Sequence, residues 1–428
     1  MIRKLNFLAI AALNHLLPKR DQIVLHAFPD IEDQVVGCLR TLATQPNRRP
    51  IFLLVSAEPT VHTRAILRSL AGAIADEVVI LRKGRPAAIW AYLRARYVFF
   101  THGLYGFLPV PPWQVVVNLW HGMPLKRIWR GLPGSHVPQC TWLLSTSPLF
   151  SQILADASGL SPDKIIATGL PRNDLLFAPA SSAKTLGTQL RAGVSRVLLF
   201  LPTYRASVKG FTTSDGIEPD SVLGMNPAEI ADFRQLLAQH NIRVLVKPHP
   251  MSAHHGKCEE LDKNLWVISD EWLLQRGATL YEILGQVDAL VTDISSVCVD
   301  FLALRKPVFF YFPDLAAYRR TRTFQLEPVE QWLAGPLCQT AAELTEGFAA
   351  LTAQAERWFE QEGIASADRR LTRTVDMRYH GQNYELGIAL PDGATMTMLA
   401  TLFAEAHRQR YGFATDEDPV EIVTLRLE

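Results

Sequence analysis

The stretch "VTDISSVCVDFLALRKPVFFYFPD" (residues 291–314) decides the fold class of this 428-residue chain. An apolar strand ends at Asp293, Ser295 and Ser296 open a helix, and a second buried strand begins at Pro307. A strand, a helix and another strand in such close succession predict a parallel βαβ unit. Because near-continuous apolar strands belong to parallel sheets covered on both faces, the stretch predicts a doubly wound α/β domain.

The same alternation of apolar strands and helical stretches extends along most of the chain and predicts two such domains. The predicted strands of the first domain are residues 22–28, 51–57, 77–80, 97–100, 114–120 and 141–146. An Ala-, Ser- and Gly-rich break of low order follows at residues 177–196. The alternation restarts with predicted strands at 197–203, 242–248, 265–269, 288–293 and 307–312. We expect α/β domains at 21–180 and 195–350, with a ligand cleft between them at the strand ends.

Composition limits the classes of partner. The chain has 43 basic and 42 acidic residues, so no overall field favours nucleic acid, and any anion site must be local. Its five cysteines are scattered and include no CxxC pair, which indicates a reduced, cytoplasmic protein. The "HHGKC" stretch (residues 254–258) has no partner cluster at ligand spacing, so we predict no metal site.

The N-terminal stretch "MIRKLNFLAIAALNHLLPKRDQ" permits two interpretations. Its apolar part is too short to span a bilayer and is followed by no small-residue cleavage site. Residues 1–20 could form an amphipathic helix on an anionic membrane face, flanked by Arg3, Lys4, Lys19 and Arg20. The alternative is a first helix packed on the core.

Polar residues at strand ends of the second domain suit an anion. Ser295 and Ser296, at a helix start after Asp293, could bind a phosphate or pyrophosphate, although simple capping is the alternative. The "VKPHP" stretch (residues 246–250) displays Lys247 and His249 on a turn that two prolines hold rigid.

The "LPTYR" stretch (residues 201–205) presents a further possible anion site after the first strand of this domain. It places Thr203, Tyr204 and Arg205 at that strand end. Arg205 could bind a phosphate through two N–H groups, and the alternative is a solvated charge.

The "NLWHGMPLKRIW" stretch (residues 118–129) is the main candidate in the first domain. His121 follows a strand, Gly122 permits a close backbone approach or a left-handed turn, and Lys126 adds a cation. A cleft histidine could act as a general base; the alternative is a structural histidine beside a buried Trp120. Two further stretches at strand ends are "FPDIED" (residues 28–33) and "GLPRNDLL" (residues 169–176), which contains Arg172.

These motifs together resemble the CDP-glycerol glycerophosphotransferase family of teichoic acid and polyol-phosphate capsule synthesis. The likeness spans about residues 21–314 and implies a GT-B fold with a CDP-binding C-terminal domain and an acceptor-side N-terminal domain. It implies transfer of glycerol phosphate from CDP-glycerol to a hydroxyl of a lipid-linked or polyol-phosphate acceptor, with release of CMP and no cofactor. His121 matches the family's essential N-domain histidine, His249 its second histidine, and Ser295 and Ser296 its phosphate-binding serines. Tyr204 replaces a common tryptophan, and an asparagine is common near Gln34.

We therefore predict His121 and His249 as catalytic residues of a peripheral enzyme on the inner face of the cell membrane. The predicted substrate-binding residues are Trp120, Gly122, Lys126, Arg172, Thr203, Arg205, Lys247, Asp293, Ser295 and Ser296. The alternatives are a GT-B glycosyltransferase that uses a nucleotide sugar and a non-catalytic nucleotide-binding scaffold. Residues 355–428 resemble the C-terminal end of hydantoinase A and 5-oxoprolinase-type proteins, and we expect them to serve in packing or oligomerisation.

Overall fold

The computed structural model divides into two compact units, Met1–Ala349 and Ala350–Glu428. The structure describes residues 2–103, 108–132, 135–205, 219–252, 254, 256, 258–321, 323–344, 346, 373–379, 386–389, 396–411, 414–415 and 420–427.

The N-terminal part of the first unit is a parallel seven-stranded sheet covered by helices. Its strands are β1 (Arg20–His26), β2 (Ile51–Val55), β3 (Val78–Arg82), β4 (Ala95–Phe100), β5 (Val115–Asn118), β6 (Trp142–Ser145) and β7 (Ile165–Ala167). They lie in the order β3-β2-β1-β4-β5-β6-β7. The α-helices are α1 (Ile2–Leu16), α2 (Asp33–Ala43), α3 (Val61–Ala71), α4 (Pro86–Arg94) and α5 (Pro148–Ser158). Short 3₁₀ segments lie at Gly72–Asp76, Trp129–Gly131, Pro162–Lys164 and Pro171–Leu176.

A second seven-stranded sheet follows in the same unit. Its strands are β8 (Arg196–Leu201), β9 (Ile242–Val246), β10 (Glu259–Glu260), β11 (Leu265–Val267), β12 (Ala289–Thr292), β13 (Val308–Tyr311) and β14 (Leu337–Cys338). They lie in the order β10-β11-β9-β8-β12-β13-β14, and β10 alone runs antiparallel to its neighbour. The helices are α6 (Ser181–Arg191), α7 (Pro227–Gln239), α8 (Asp270–Gln275), α9 (Leu280–Leu284), α10 (Val297–Phe301) and α11 (Leu315–Thr321). Short 3₁₀ segments lie at Leu302–Leu304 and Val329–Trp332.

The predicted βαβ unit and the α/β fold class are confirmed. Strands β12 and β13 are parallel neighbours, with Leu290 opposite Val308, and α10 crosses between them. Every residue of β9, β12 and β13 is buried, as expected for strands covered on both faces. Each predicted strand corresponds to an observed strand, whereas β7, β10 and β14, of three, two and two residues, were not predicted. These strands are too short for a periodic signal.

The expected break of low order at residues 177–196 is wrong, because α6 occupies most of it. Ala183, Leu186 and Leu190 are buried along one face of this helix. Their spacing of three and four residues is that of an amphipathic helix, but the surrounding small and polar residues obscured it. The helix therefore joins the two sheets as packed structure.

The strand β10 forms one edge of the second sheet. It consists of Glu259 and Glu260, and both residues are exposed. Charged side chains on a short terminal strand are a common means of blocking further strand addition.

The first helix packs on the core through one face. Asn14 is fully buried, and its amide Nδ2 donates a hydrogen bond to Gln114 Oε1 at 3.0 Å. Lys19 donates from Nζ to the carbonyl oxygens of Asn14 and Leu93 at 2.6 and 2.7 Å. Burial, followed by repulsion from Arg94, lowers the pKa of Lys19 to about 8. Lys19 is therefore held by the protein, which corrects its assignment as a membrane-flanking residue.

The outer face of α1 remains apolar. Leu8, Leu13 and Leu16 are 63%, 45% and 79% exposed, and exposed Trp90 lies on α4, the helix that α1 contacts. Among the described residues, no helix combines the length and hydropathy that crossing a bilayer requires.

The second unit contains an antiparallel sheet and one helix among its described residues. The strands are β15 (Arg373–Tyr379), β16 (Leu386–Ala389) and β17 (Val420–Leu427), in the order β16-β15-β17, and the helix is α12 (Met396–Tyr411). Its core includes Met377, Tyr379, Ile388 and Phe403. Much of the hydantoinase-like stretch lies outside the described residues, and its resemblance stays a prediction.

Candidate active site

A cavity lies where the carboxyl ends of the two sheets of the first unit face each other. His121 lines it from the first sheet, and Lys247, His249, Ser295 and Ser296 line it from the second. The structure therefore brings together both predicted catalytic histidines and several predicted phosphate ligands, which lie far apart in the sequence.

His121 sits in a loop of unusual backbone conformation directly after β5. Trp120 has a φ of 58°, and its ring packs on the His121 imidazole with centroids 4.0 Å apart. The imidazole also stacks on His102, with ring centroids 4.2 Å apart. His121 Nδ1 donates a hydrogen bond to the carbonyl oxygen of Thr101 at 3.4 Å, so Nε2 is the ring's proton acceptor. Burial, then His102, holds the pKa of His121 well below its usual value, and the ring is neutral.

Gly122 lets the His121 loop approach the second sheet closely. Its φ of 134° disfavours other residues, and a Cβ atom there would lie 2.1 Å from Ser296 Oγ and 3.0 Å from an Arg172 nitrogen. The expected close backbone approach is therefore present. Gly122 itself offers no side chain, so its part is to place His121 beside Ser296.

His249 has the opposite ring tautomer. The backbone N–H of Met251 donates to His249 Nδ1 at 3.1 Å, so a neutral His249 carries its proton on Nε2. The Tyr204 ring packs on the imidazole with centroids 4.7 Å apart. Tyr204, which replaces a common tryptophan of the resembled family, thus keeps an aromatic contact with this histidine.

Lys247 lines the cavity with its charge already paired. The side chain is 4% exposed, and its Nζ lies 2.9 Å from Asp270 Oδ1. Asp270 also lines the cavity, and its other oxygen, Oδ2, is buried and has no hydrogen-bond partner. The lysine therefore orients a carboxylate in addition to offering its own N–H groups.

Arg172 lines the cavity and also donates a hydrogen bond to the backbone of His121. Its guanidinium donates to Asp300 Oδ2 at 2.6 Å and to the carbonyl oxygen of His121 at 3.1 Å, and it packs over the Tyr281 ring at 4.6 Å. The Tyr281 hydroxyl donates to the same Asp300 oxygen at 2.5 Å. These contacts hold the guanidinium beside the His121 loop, and because Arg172 also lines the cavity, its role as a substrate ligand stays a prediction.

Thr203, Arg205 and Asp293 form a separate buried cluster, and their assignment as substrate ligands stays a prediction. Arg205 donates to Asp293 Oδ2 at 2.9 Å, and it forms two hydrogen bonds with Asp314, of 2.7 and 2.9 Å. Thr203 Oγ1 also donates to Asp293 at 2.7 Å. These side chains satisfy one another and are not among the residues that line the cavity.

Trp120 and Lys126 also lie outside the cavity lining. Trp120 is 6% exposed and packs between His121 and Trp129, so it shapes the loop. Lys126 forms a backbone bridge to Phe324, and its Nζ lies 5.4 Å from the Tyr318 ring centroid. Neither side chain is placed to contact a ligand in this cavity.

Sequence reasoning missed Glu32 and His102, which line the cavity. Burial raises the pKa of Glu32 to about 8, and its Oε1 is buried with no hydrogen-bond partner. Burial, then Lys83, lowers the pKa of His102 to about 4. His102 comes directly after the strand at residues 97–100, so the strand-end rule that selected His121 would have found it. Glu32 lies in the quoted "FPDIED" stretch without having been singled out.

Comparison with known proteins now identifies the family. The model of the CDP-Glycerol:Poly(glycerophosphate) glycerophosphotransferase family matches residues 10–374. The chain belongs to this family. It is therefore a transferase of teichoic-acid-type polymer synthesis, and the predicted family resemblance is confirmed.

The related proteins differ in whether their names specify glycerol phosphate or ribitol phosphate. The chain is 24% identical over 355 residues to the teichoic acid poly(glycerol phosphate) polymerase of Bacillus spizizenii, covering 77% of this chain and 84% of the relative. It is 28% identical over 276 residues to a teichoic acid glycerol-phosphate transferase of Staphylococcus aureus, covering 59% and 66%. It is also 28% identical over 292 residues to the ribitol-phosphate polymerase TarK of Staphylococcus aureus, covering 62% and 52%. The chain thus spans half to two thirds of the two staphylococcal relatives.

Solved structures of this family confirm the GT-B fold. A variant of the wall teichoic acid polymerase TagF superposes with a TM-score of 0.60 at 17% identity, covering 81% of this chain and 86% of that one. The same variant soaked with CDPG also gives a TM-score of 0.60, at 19% identity.

Proposed function

We propose that the chain transfers glycerol phosphate from CDP-glycerol to a hydroxyl group of a lipid-linked or polyol-phosphate acceptor. The acceptor oxygen attacks the β-phosphorus of the donor, and the bond from that phosphorus to the bridging oxygen breaks. CMP leaves with the bonding electrons, and the acceptor's proton passes to the enzyme. Catalysis then depends mainly on positioning and on neutralisation of phosphate charge.

The observation that carries this proposal is the opposite tautomers of the two cavity histidines. His121 has Nε2 free of a proton, because Nδ1 donates to Thr101. His249 has its proton on Nε2, because Nδ1 accepts from Met251. The first arrangement suits removal of a proton from the acceptor hydroxyl, and the second suits donation to a phosphate oxygen.

A neutral His121 also suits the charge of the donor. The lowered pKa of His121 keeps its ring unprotonated near neutral pH before substrate binds. A diphosphate in the cavity would then favour the imidazolium that forms as the proton arrives. Ser295 and Ser296 line the same cavity and supply hydroxyl groups for the phosphate oxygens.

CDP-ribitol is the second candidate donor, because relatives of the chain include a ribitol-phosphate polymerase. Release of CMP by the purified chain, supplied with a glycerol-phosphate-primed acceptor and either donor, tests the reaction and ranks the two polyols. No CMP release from either donor would reject the proposal.

A thermal-shift panel of CDP-glycerol, CDP-ribitol, CMP and UDP-sugars distinguishes the proposed transferase from a glycosyltransferase and from a non-catalytic scaffold, because a ligand of the folded state raises the melting temperature. Stabilisation by UDP-sugars alone would favour a glycosyltransferase. An unchanged melting temperature with every ligand would favour a scaffold.

A lipid-linked acceptor requires the enzyme to work at a membrane surface. The exposed leucines of α1 and the half-exposed Trp90 offer an apolar face, and Arg94 lies 5.8 Å from the Trp90 ring centroid. Apolar helix faces with interfacial tryptophans and basic neighbours bind anionic bilayers reversibly.

Sedimentation with anionic liposomes tests this surface. Replacing Leu13 and Leu16 by Gln should reduce the bound fraction at low salt while sparing turnover on a short soluble acceptor. Val61 is 90% exposed on α3, so Val61→Gln is a matched control that should bind liposomes like the parent. Equal binding of the leucine variant and the parent would exclude α1 as the anchor.

A further inference from the structure

Gln34 is a fully buried glutamine beside the loop that carries His121. Its side-chain Nε2 donates hydrogen bonds to the carbonyl oxygens of Trp120 at 3.2 Å and of Leu119 at 3.4 Å. Its Oε1 accepts a hydrogen bond from the backbone N–H of Arg172 at 3.1 Å. One amide thus joins the His121 loop to the 3₁₀ segment that contains Arg172. We propose that Gln34 is a positioning residue, which holds the His121 loop in the conformation that catalysis requires.

The backbone conformation of Trp120 explains why the loop needs such a contact. Trp120 has a φ of 58°, in the left-handed region that residues with a Cβ atom seldom adopt. Such a conformation persists only where neighbouring groups hold it. The Gln34 amide bonds the Trp120 carbonyl oxygen, which belongs to the peptide group that joins Trp120 to His121. Because this peptide group directly precedes His121, its orientation determines where the imidazole points.

A glycine on the same helix face brings the partners of Gln34 within reach. Gln34 and Gly37 are three residues apart on α2 and therefore lie on the same face of it. A Cβ atom at Gly37 would lie 2.4 Å from the carbonyl oxygen of Pro171, the residue before Arg172. The glycine thus lets α2 approach this segment more closely than a side chain would allow, and Gln34 Oε1 meets the Arg172 N–H.

The helix that carries Gln34 is also bonded to α9, a helix of the second sheet. In the first turn of α2, Asp33 Oδ1 accepts a hydrogen bond from the backbone N–H of Tyr281 at 2.9 Å. In its last turn, Arg40 Nη2 donates to the buried carboxylate of Glu282 at 2.7 Å. The loop that Gln34 holds is therefore fixed relative to the second sheet as well as the first.

This inference rests on the proposed function for the role of His121 as general base, but its structural part can be observed without substrate. His121 Nδ1 donates to the carbonyl oxygen of Thr101, so a displaced loop would lose this hydrogen bond and admit the other ring tautomer. ¹⁵N nuclear magnetic resonance of histidine-labelled protein shows which ring nitrogen carries the proton. The signals of His121 are those absent from His121→Ala.

The test replaces Gln34 by methionine, which has a similar size and cannot bond the three backbone groups. Gln34→Met should lower turnover on a short soluble acceptor by at least about tenfold, because a small displacement of a catalytic group is costly. Its dissociation constant for CDP-glycerol should stay near that of the parent. His121 should show a single tautomer in the parent, with the proton on Nδ1, and both tautomers in Gln34→Met.

Gln114 provides a matched control in the same sheet. It is 2% exposed, and its Nε2 donates to the carbonyl oxygens of Tyr92 and Ala95 at 3.1 and 2.9 Å. Its Oε1 accepts from Asn14 Nδ2 at 3.0 Å. Gln114 precedes β5, whereas the histidine loop follows that strand. Gln114→Met should therefore lower the free energy of unfolding about as much as Gln34→Met but keep the parent's turnover and histidine tautomer.

Gln34→Asn covers the case in which Gln34→Met does not fold. It keeps the amide but is shorter by one methylene group, so it cannot reach both the loop and Arg172, and its turnover should also fall. A folded variant of either kind with the parent's turnover would overturn the inference. So would equal losses of turnover in Gln34→Met and Gln114→Met, because turnover would then follow stability alone. If the parent itself releases no CMP, the proposed reaction fails, and an unchanged His121 tautomer in the Gln34 variant would then overturn the inference separately.

Discussion

The two walls of the cavity differ in how they hold their ionisable side chains. On the wall of the first sheet, burial lowers the pKa of His102 and His121 and raises that of Glu32, so the uncharged form of each group is favoured. On the side of the second sheet, Lys247 pairs with Asp270, and Arg205 pairs with two carboxylates behind the cavity. The first wall is therefore held by uncharged side chains, of which Glu32 titrates near neutral pH, while the side of the second sheet keeps its charges paired.

The largest effect is expected from breaking a buried ion pair of the second sheet, behind the cavity. Arg205→Met leaves the buried Asp293 carboxylate without its cation and should lower the free energy of unfolding by about 3–5 kcal/mol. The exposed pair of Arg234 with Asp262 gives the matched control, and Arg234→Met should cost less than about 1 kcal/mol. Urea denaturation followed by tryptophan fluorescence measures both. Equal losses in the two variants would show that burial adds nothing to the contribution of the Arg205 ion pairs, and the contrast between the two sides of the cavity would weaken.

The second effect concerns an uncharged group of the first wall. Glu32 has a folded-state pKa of about 8, above its usual value, so the folded protein binds the proton more tightly than the unfolded chain. The stability that this gives is present below about pH 4.5 and is lost as pH rises towards 8. Glu32→Gln lacks this titration. Relative to that of the parent, the free energy of unfolding of Glu32→Gln should therefore rise by on the order of 3 kcal/mol between pH 5 and pH 8.

Urea midpoints at several pH values measure that difference. The exposed Glu259→Gln serves as control and should track the parent across the range. A difference between Glu32→Gln and the parent that stays constant with pH would mean that Glu32 is ionised in the folded protein, and the contrast between the walls would weaken.

The third effect separates proton transfer from donor binding. His121→Ala should lower turnover by at least about a hundredfold, or about 2.7 kcal/mol, because a general base is lost. Its dissociation constant for CDP-glycerol should stay near that of the parent. His62→Ala, an exposed histidine of α3, should leave both quantities unchanged. Weaker donor binding with unchanged turnover would assign His121 to the donor.

The smallest effect is expected at His249. His249→Ala removes a donor to the phosphate and should weaken CDP-glycerol binding by about tenfold, or about 1.4 kcal/mol. Turnover should fall as well, because the same contact neutralises charge in the transition state. Calorimetric titration of the parent and of the His121 and His249 variants gives the comparison. Equal losses of CDP-glycerol affinity in the two histidine variants would contradict the separate roles of His121 as general base and His249 as phosphate ligand.

The fold could be predicted from the sequence because its signal is local. Buried parallel strands such as β9 and β12 are continuous apolar runs, and they need no partner to be recognised. The same rule located the site, since His121, His249 and Ser296 each follow a strand. Strand ends of both sheets meet at one cavity, so position along the strand placed these three residues there, although Thr203 and Arg205 also follow a strand and lie outside the cavity lining.

The partners of the charged residues could not be predicted in this way. Arg172 pairs with Asp300, 128 residues later, and Lys247 pairs with Asp270 across two neighbouring strands. Nothing in the local sequence of an arginine says whether its guanidinium meets a ligand or a buried carboxylate. Arg205 shows the same limit, because Asp314 lies on a different strand end.

The two exposed glutamates of β10 bear on the behaviour of the protein at high concentration. A strand from another molecule that joined this edge of the second sheet would have to remove water from the carboxylates of Glu259 and Glu260 and bring its own side chains against them. The edge thus disfavours intermolecular sheet extension, and the two carboxylates help to keep neighbouring molecules apart at high protein concentration.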